Sequence, residues 1–186
     1  MQHEQPSEPA GILKKHLHLF TSGALPGPIL DLACGSGKNG LFLAGQGLEV
    51  YFWDRDPSRL QKIKDIARAK NLMVLTREVD LESKPENTLP RNHFGAVLVL
   101  RYLHRPLLPN IKNALRPGGI VVYETFTSNQ AMLGRPKNPD FLLRDRELYT
   151  WLQDWEILYY FEGKTENPQE YLARIIARKP SLSPDS

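Results

Sequence analysis

The 186-residue sequence predicts an α/β protein built on a doubly wound sheet with helices on both faces. Two stretches carry that prediction. Pro28-Ile-Leu-Asp-Leu-Ala-Cys-Gly-Ser-Gly-Lys-Asn-Gly40 starts as an apolar strand, Ile29 to Ala33. It breaks at Gly35 and Gly37 and restarts as a helix at Leu41, Phe42, Leu43 and Ala44. A strand that feeds a glycine turn and opens a helix is the first βα unit of a nucleotide-binding sheet, so an adenosine-type cofactor is expected there. Phe94-Gly-Ala-Val-Leu-Val-Leu100 is a continuous apolar run between turn residues, as a central parallel strand covered on both faces requires.

Composition bounds the class. Hydrophobic residues make up 41% and charged residues 24%, ordinary values for a soluble globular protein. The length suits one domain with its own core, expected over residues 10–179, with a disordered stretch at 1–9 and a tail at 180–186. No apolar run approaches the roughly 20 residues of a membrane span. Met1-Gln-His-Glu-Gln-Pro lacks the basic-then-apolar layout of a signal peptide, so a cytoplasmic protein without a membrane partner is expected. A single cysteine leaves no internal disulfide, and no Cys/His spacing suggests a metal. The net charge of +3 comes from scattered basic residues, and the group at Lys62, Lys64, Arg68 and Lys70 reads as a solvated helix face beside Asp65. Nucleic acid is therefore not the expected partner.

In chain order, Ile12, Leu13, Leu17 and Phe20 recur at helical spacing and predict one amphipathic helix over residues 10–20. His16 and His18 lie two apart on it and cannot face one ligand together. After the glycine turn, residues 48–53 form the second strand, which ends at Asp54. That acid stands 19 residues past Gly35 (54 − 35), where a nucleotide-binding unit places the carboxylate for two ribose hydroxyls. Asp56 with Pro57 predicts a capped helix start, and Leu60, Ile63 and Ala67 form the buried stripe of the helix over 58–70. Residues 71–79 read as the third strand, ending at Asp80-Leu81, where an acceptor and an apolar side chain could take an adenine. Residues 82–92 are a polar loop.

The fourth strand, Phe94 to Leu100, ends in Arg101-Tyr-Leu-His-Arg105 and should face the cofactor across the switch between strands one and four. A helix over 107–115 leads through Arg116-Pro-Gly-Gly119 into a fifth strand over 120–125. Residues 127–143, rich in Pro, Gly and Asn, predict a long loop over the strand ends. A short helix over 145–152 precedes two strands, 155–161 and 171–178, joined by residues 162–170.

Choosing the cofactor turns on Asp31. Gly35-Ser-Gly-Lys-Asn-Gly40 satisfies the dinucleotide pattern, but Asp31 precedes it by four residues (35 − 31) and would face a pyrophosphate. Asp-x-x-x-Gly-x-Gly instead resembles motif I of the class I S-adenosylmethionine (SAM) methyltransferases, with Ala33 in place of the first glycine. Trp53-Asp-Arg-Asp56, Val79-Asp-Leu81, Arg101-Tyr-Leu-His-Arg105, Leu115-Arg-Pro-Gly-Gly-Ile120 and Tyr123-Glu-Thr-Phe126 extend the resemblance over most of the chain. They look like a bacterial branch similar to the tellurite-resistance and thiopurine methyltransferases. The resemblance implies a Rossmann-like sheet of seven strands in the order 3-2-1-4-5-7-6, the last strand antiparallel. It implies SAM as cofactor, with Asp31 tied to the cofactor's amino-acid end. The expected cofactor-binding set is Asp31, Ala33, Gly35, Gly37, Asn39, Asp54, Arg55, Asp80, Leu81, Leu100 and Arg101.

The reaction implied is in-line displacement of a methyl group by an acceptor lone pair, the acceptor being a small molecule. Tyr102, His104 and Glu124 are the candidates for proton transfer, and Arg101 and Arg105 could attract an anionic acceptor. Two other classes compete. An NAD(P)-dependent oxidoreductase would lack the antiparallel terminal strand, and a catalytically silent SAM-fold partner subunit would bind cofactor without turnover.

Overall fold

The computed structural model describes residues 8–83 and 89–181. The expected disorder at 1–9, the polar loop at 82–92 and the tail at 180–186 therefore fall in part outside the described residues. Seven strands form one sheet in the order β3-β2-β1-β4-β5-β7-β6. They are β1 (Ile29–Leu32), β2 (Val50–Asp54), β3 (Val74–Glu78), β4 (Phe94–Leu100), β5 (Leu115–Phe126), β6 (Glu156–Glu166) and β7 (Gln169–Arg178). The pairs from β3 to β5 are parallel, and β7 runs antiparallel between β5 and β6. This is the order that the resemblance implies, with the strand last in sequence antiparallel.

The helices are α1 (Gly11–Lys15), α2 (His18–Thr21), α3 (Lys38–Ala44), α4 (Pro57–Ala69), α5 (Leu108–Ala114), α6 (Gln130–Leu133) and α7 (Glu147–Leu152). Alternation along the strands divides the core into two layers. Leu30, Leu32, Val97 and Val99 pack with Leu107, Ile111, Leu148 and Leu152 on one face. Ile29, Ala96 and Leu98 pack with Leu13, Phe20, Leu43, Leu60 and Ile63 on the other. Asp31, two residues after Ile29, shares this second face, where its Oδ2 accepts the Gly40 amide of α3.

The structure corrects four expectations. The single helix over 10–20 is two, broken at His16 (φ −113°, ψ 26°), whose ring packs on Tyr159 with centroids 4.7 Å apart. The fifth strand begins at Leu115, because Leu115 already pairs with Phe94 and the Arg-Pro-Gly-Gly turn bulges out before the ladder resumes at Ala96 and Ile120. The two terminal strands extend through residues 162–170 and turn at Asn167-Pro168, pairing Glu166 with Gln169. Residues 127–143 are not a plain loop. They carry α6 and a 3-10 turn, Pro139–Phe141. Leu143 pairs with Thr127, and buried Gln130 donates to the Arg135 carbonyl at 3.2 Å and accepts from the Tyr171 amide at 2.8 Å.

Candidate active site

A cavity of ≈ 400 Å³ opens at the carboxyl ends of the parallel strands. Ala33, Asp54, Arg55, Asp80, Leu81 and Arg101 of the expected set line it, together with Tyr102. These residues come from the ends of β1, β2, β3 and β4. The parallel register brings them to one level although they span 69 positions (102 − 33).

Asp54 closes β2 and is 6% exposed. Its Oδ2 accepts the Gly35 amide at 2.7 Å and its Oδ1 the Asp56 amide at 3.0 Å, so each oxygen keeps lone-pair capacity. The same carboxylate thereby ties the glycine turn to the start of α4. Asp56 caps that helix, accepting from the Ser58 amide at 2.9 Å and the Arg59 amide at 3.3 Å. Asp80 lines the cavity while its Oδ1 accepts from the Glu82 amide at 3.0 Å, so it also fixes the following turn.

The remaining members of the set, Asp31, Gly35, Gly37, Asn39 and Leu100, lie behind the cavity rather than lining it. Gly37 has φ 73°, and a Cβ there would lie 2.5 Å from Ile63 Cδ1. At Gly40 a Cβ would lie 2.4 Å from the Phe52 ring. Both glycines let α3 sit flat on the sheet. Asn39 is buried and its Oδ1 accepts the Ala10 amide at 2.9 Å, anchoring the N-terminal segment to the glycine turn. Asp31 does not line the cavity. It is 2% exposed, and its Oδ2 accepts the Gly40 amide at 2.9 Å. Burial pushes its carboxyl up to about 7, with the Gly40 bond opposing and the Asp54 charge adding to the rise. Burial likewise pushes the Cys34 thiol up, which keeps it protonated and unreactive. Leu100 is also buried beneath the site.

Two residues at the mouth adopt left-handed backbone without being glycine. Ala33 (φ 52°) follows β1 and Arg101 (φ 61°) follows β4, the strands on either side of the switch. Arg101 is held by an ion network. Its Nε meets Glu124 Oε1 at 3.1 Å and its Nη2 meets Glu170 Oε2 at 2.7 Å, and its guanidinium lies 4.6 Å over the Phe126 ring. Arg174 takes the other oxygen of Glu124 at 2.6 Å. Glu124 is 2% exposed with both oxygens engaged, an arrangement that anchors Arg101 to β7.

His104 lines a second, smaller cavity. Arg105 reaches across to the segment before α7, bonding Glu147 through Nε at 2.7 Å and Nη2 at 2.9 Å, and the carbonyls of Asp140 and Leu142 at 3.0 and 2.8 Å. Arg59, Leu103, Phe126, Pro136 and Phe141 also line the larger cavity and were absent from the expected set. Phe141 belongs to the Pro-, Gly- and Asn-rich segment 127–143 that the sequence places over the strand ends. Among the described residues, no three His, Cys, Asp or Glu side chains are grouped so that they could hold a metal ion, and no helix is long and apolar enough to cross a membrane.

Residues 21–173 match the family model described as "Tellurite resistance protein TehB". The chain belongs to the TehB family. It is 26% identical over 146 residues to a probable S-adenosyl-L-methionine-dependent methyltransferase TehB of Haemophilus influenzae, covering 76% of this chain and 50% of the relative. It is 24% identical over 163 residues to the tRNA 5-carboxymethoxyuridine methyltransferase of Escherichia coli, covering 74% of this chain and 61% of that one. The chain thus spans about half the length of the curated TehB relatives that it matches. The crystal structure of TehB from Haemophilus influenzae superposes with a TM-score of 0.68 at 21% identity, over 90% of this chain and 65% of the other. That of the [4+2]-cyclase SpnF gives 0.72 at 19% identity, over 92% and 81%. The TehB fold is therefore shared with an enzyme named for a different reaction.

Proposed function

We propose that this TehB-family chain is a SAM-dependent methyltransferase acting on a small-molecule acceptor. The observation that carries the proposal is the Asp54 carboxylate at the end of β2, bonded to the Gly35 amide and still open to the cavity. Its two oxygens suit a pair of adjacent ribose hydroxyls, while Asp80 and Leu81 offer an acceptor and an apolar face for an adenine. The ≈ 400 Å³ cavity has the capacity of a nucleoside site, and Phe126 and Phe141 give it aromatic walls. When bound, the cofactor supplies a methyl group already activated on a sulfonium. The protein's share is then positioning: Asp54 fixes the sugar, Arg101 is held rigid at the rim, and Tyr102 and Leu103 keep the cavity partly closed to water. Alignment of this kind supplies much of the acceleration of an in-line transfer.

The antiparallel β7 weighs against an NAD(P)-dependent oxidoreductase. A tRNA acceptor is the second reading, favoured by the name of the Escherichia coli relative.

Thermal shift with SAM, its demethylated product and NAD tests the cofactor. At about 100 times its dissociation constant a ligand adds about 2.7 kcal/mol, which SAM and the product should give and NAD should not. Asp54→Ala should lower the unliganded melting temperature, because two amides lose their acceptor, and should abolish the SAM shift. A full SAM shift in that variant removes the ribose assignment. Label transfer from methyl-tritiated SAM to a small-molecule panel and to bulk tRNA separates the two acceptors.

A further inference from the structure

The larger cavity runs along the strand ends, and the nucleoside assigned above uses one end of it. Asp54 closes β2, and Asp80 with Leu81 follows β3, whereas Thr125 and Phe126 belong to β5. In the order β3-β2-β1-β4-β5 the two ends stand four places apart, about 19 Å at about 4.8 Å per place. At the far end β5 outlasts β4. Leu100 pairs with Glu124, Arg101 turns the chain away at φ 61°, and Thr125 goes on to pair with Ala173 of β7. Thr125 thus has a neighbouring strand on the β7 side only.

Thr125 is 2% exposed, and it lines the cavity. Val121 and Tyr123, which share its face of β5, belong to the apolar core. Of the other buried polar side chains, Asp31, Asn39, Asp54, Glu124 and Gln130 all make hydrogen bonds. The hydroxyls of Thr125 and Thr127 make none among the described residues, and of these two only Thr125 lines the cavity. Valine would fill the same space without a buried hydroxyl to satisfy, so packing does not account for a threonine at this position. Arg101, the charged side chain at this end, is spent on Glu124 and Glu170, while Phe126, Pro136 and Phe141 add apolar wall. The Thr125 hydroxyl is the side-chain group at this end with bonding capacity to spare.

We infer that the β5 end of the cavity holds the methyl acceptor and that the Thr125 hydroxyl is its specificity-determining contact, donating a hydrogen bond to an oxygen of a small acceptor. The inference rests on the methyl-transfer reading above. Thr125 keeps its proton throughout, so it binds and orients the acceptor without acting as acid or base. The acceptor's lone pair forms the new bond to carbon while the C–S bond breaks, its electron pair remaining on sulfur. One positive charge passes from sulfur to the acceptor, so the step balances without a co-reactant. A hydrogen bond held equally before and during transfer sets affinity rather than rate.

The test uses the full chain, with selenite and tellurite as probes. Each is small, carries oxygens that accept hydrogen bonds and has a lone pair on its central atom. Label transfer from methyl-tritiated SAM gives KM and kcat for both, and thermal shift with the demethylated cofactor reads the nucleoside end separately. Thr125→Val should raise KM for the probe about tenfold and change kcat by less than about twofold. It should leave the cofactor shift as in wild type, and Thr125→Ser should restore KM. Thr125→Cys supplies a readout independent of turnover. Cys34, the one natural cysteine, is buried, so methyl methanethiosulfonate should label only the introduced thiol. Saturation with the demethylated cofactor should leave that labelling in place. A wild-type KM in Thr125→Val, transfer to neither probe, an unreactive introduced thiol, or its protection by the cofactor overturns the assignment while the SAM shift stands. No SAM shift ends the methyl-transfer reading and this inference with it.

Discussion

Asp31 is a carboxylic acid that the fold moves far from its behaviour in water. Its carboxyl is raised to about 7 by burial, against an ordinary value near 3.8. A raised carboxyl binds its proton more tightly in the native state than in the unfolded chain. Its stabilising contribution is therefore complete below about pH 4 and is lost as pH rises towards 7. Asp31→Asn should flatten that loss: the stability difference between wild type and variant should change by a few kcal/mol between pH 4.5 and pH 8. Urea titrations at four pH values measure it, and a pH-independent difference would refute the burial argument. At this scale the sequence was informative where chemistry depends on spacing along the chain. Asp54 was legible from its distance to Gly35, and Asp56 from the Pro that follows it. The pairing of Arg105 with Glu147, 42 positions away, and of Glu124 with Arg174, 50 away, was not, because nothing local distinguishes a residue whose partner arrives through the fold.

Elements were legible in proportion to their burial. β4 runs over Phe94–Leu100 as its unbroken apolar run demands, with every residue buried. The terminal hairpin was under-read because β6 is an edge strand whose outer half alternates polar residues with no apolar stripe to betray them. The break between α1 and α2 was hidden because His16 keeps the helical spacing of its neighbours in sequence while leaving the helix in space. Close packing makes a sharper prediction at α3. Gly40→Ala would place a Cβ 2.4 Å from the Phe52 ring and 2.9 Å from Asp31 Oδ2. Overpacking of this sort costs about 1–3 kcal/mol, so the melting temperature should fall by several degrees. An unchanged melting temperature would mean that α3 can lift from the sheet without penalty.

Across the whole molecule, one sheet with apolar layers on both faces leaves its chemistry to the strand ends and the segments above them. The sheet order was legible through the resemblance of the strand-end motifs to the class I methyltransferases, and the arrangement over its mouth was not. There Arg105 acts as a strap, joining the end of β4 to the Asp140 and Leu142 carbonyls and to α7. Arg105→Met would free two carbonyls and a carboxylate at once. Limited proteolysis should then cut near residues 135–144 several times faster than in wild type, while the melting temperature falls by less than the loss of a core residue would cause. Equal cleavage rates would show that the segment is held by its own packing.

The strained dihedrals at the two central strand ends have unequal futures. Ala33 reaches its neighbours only through a methyl group, so glycine could assume the same turn with nothing torn away. Arg101 bends in the same sense while carrying the cation that laces β4 to the distant hairpin through Glu124 and Glu170. Sequence drift is thus open at one lip of the cleft and closed at the other, though the backbone asks the same of both.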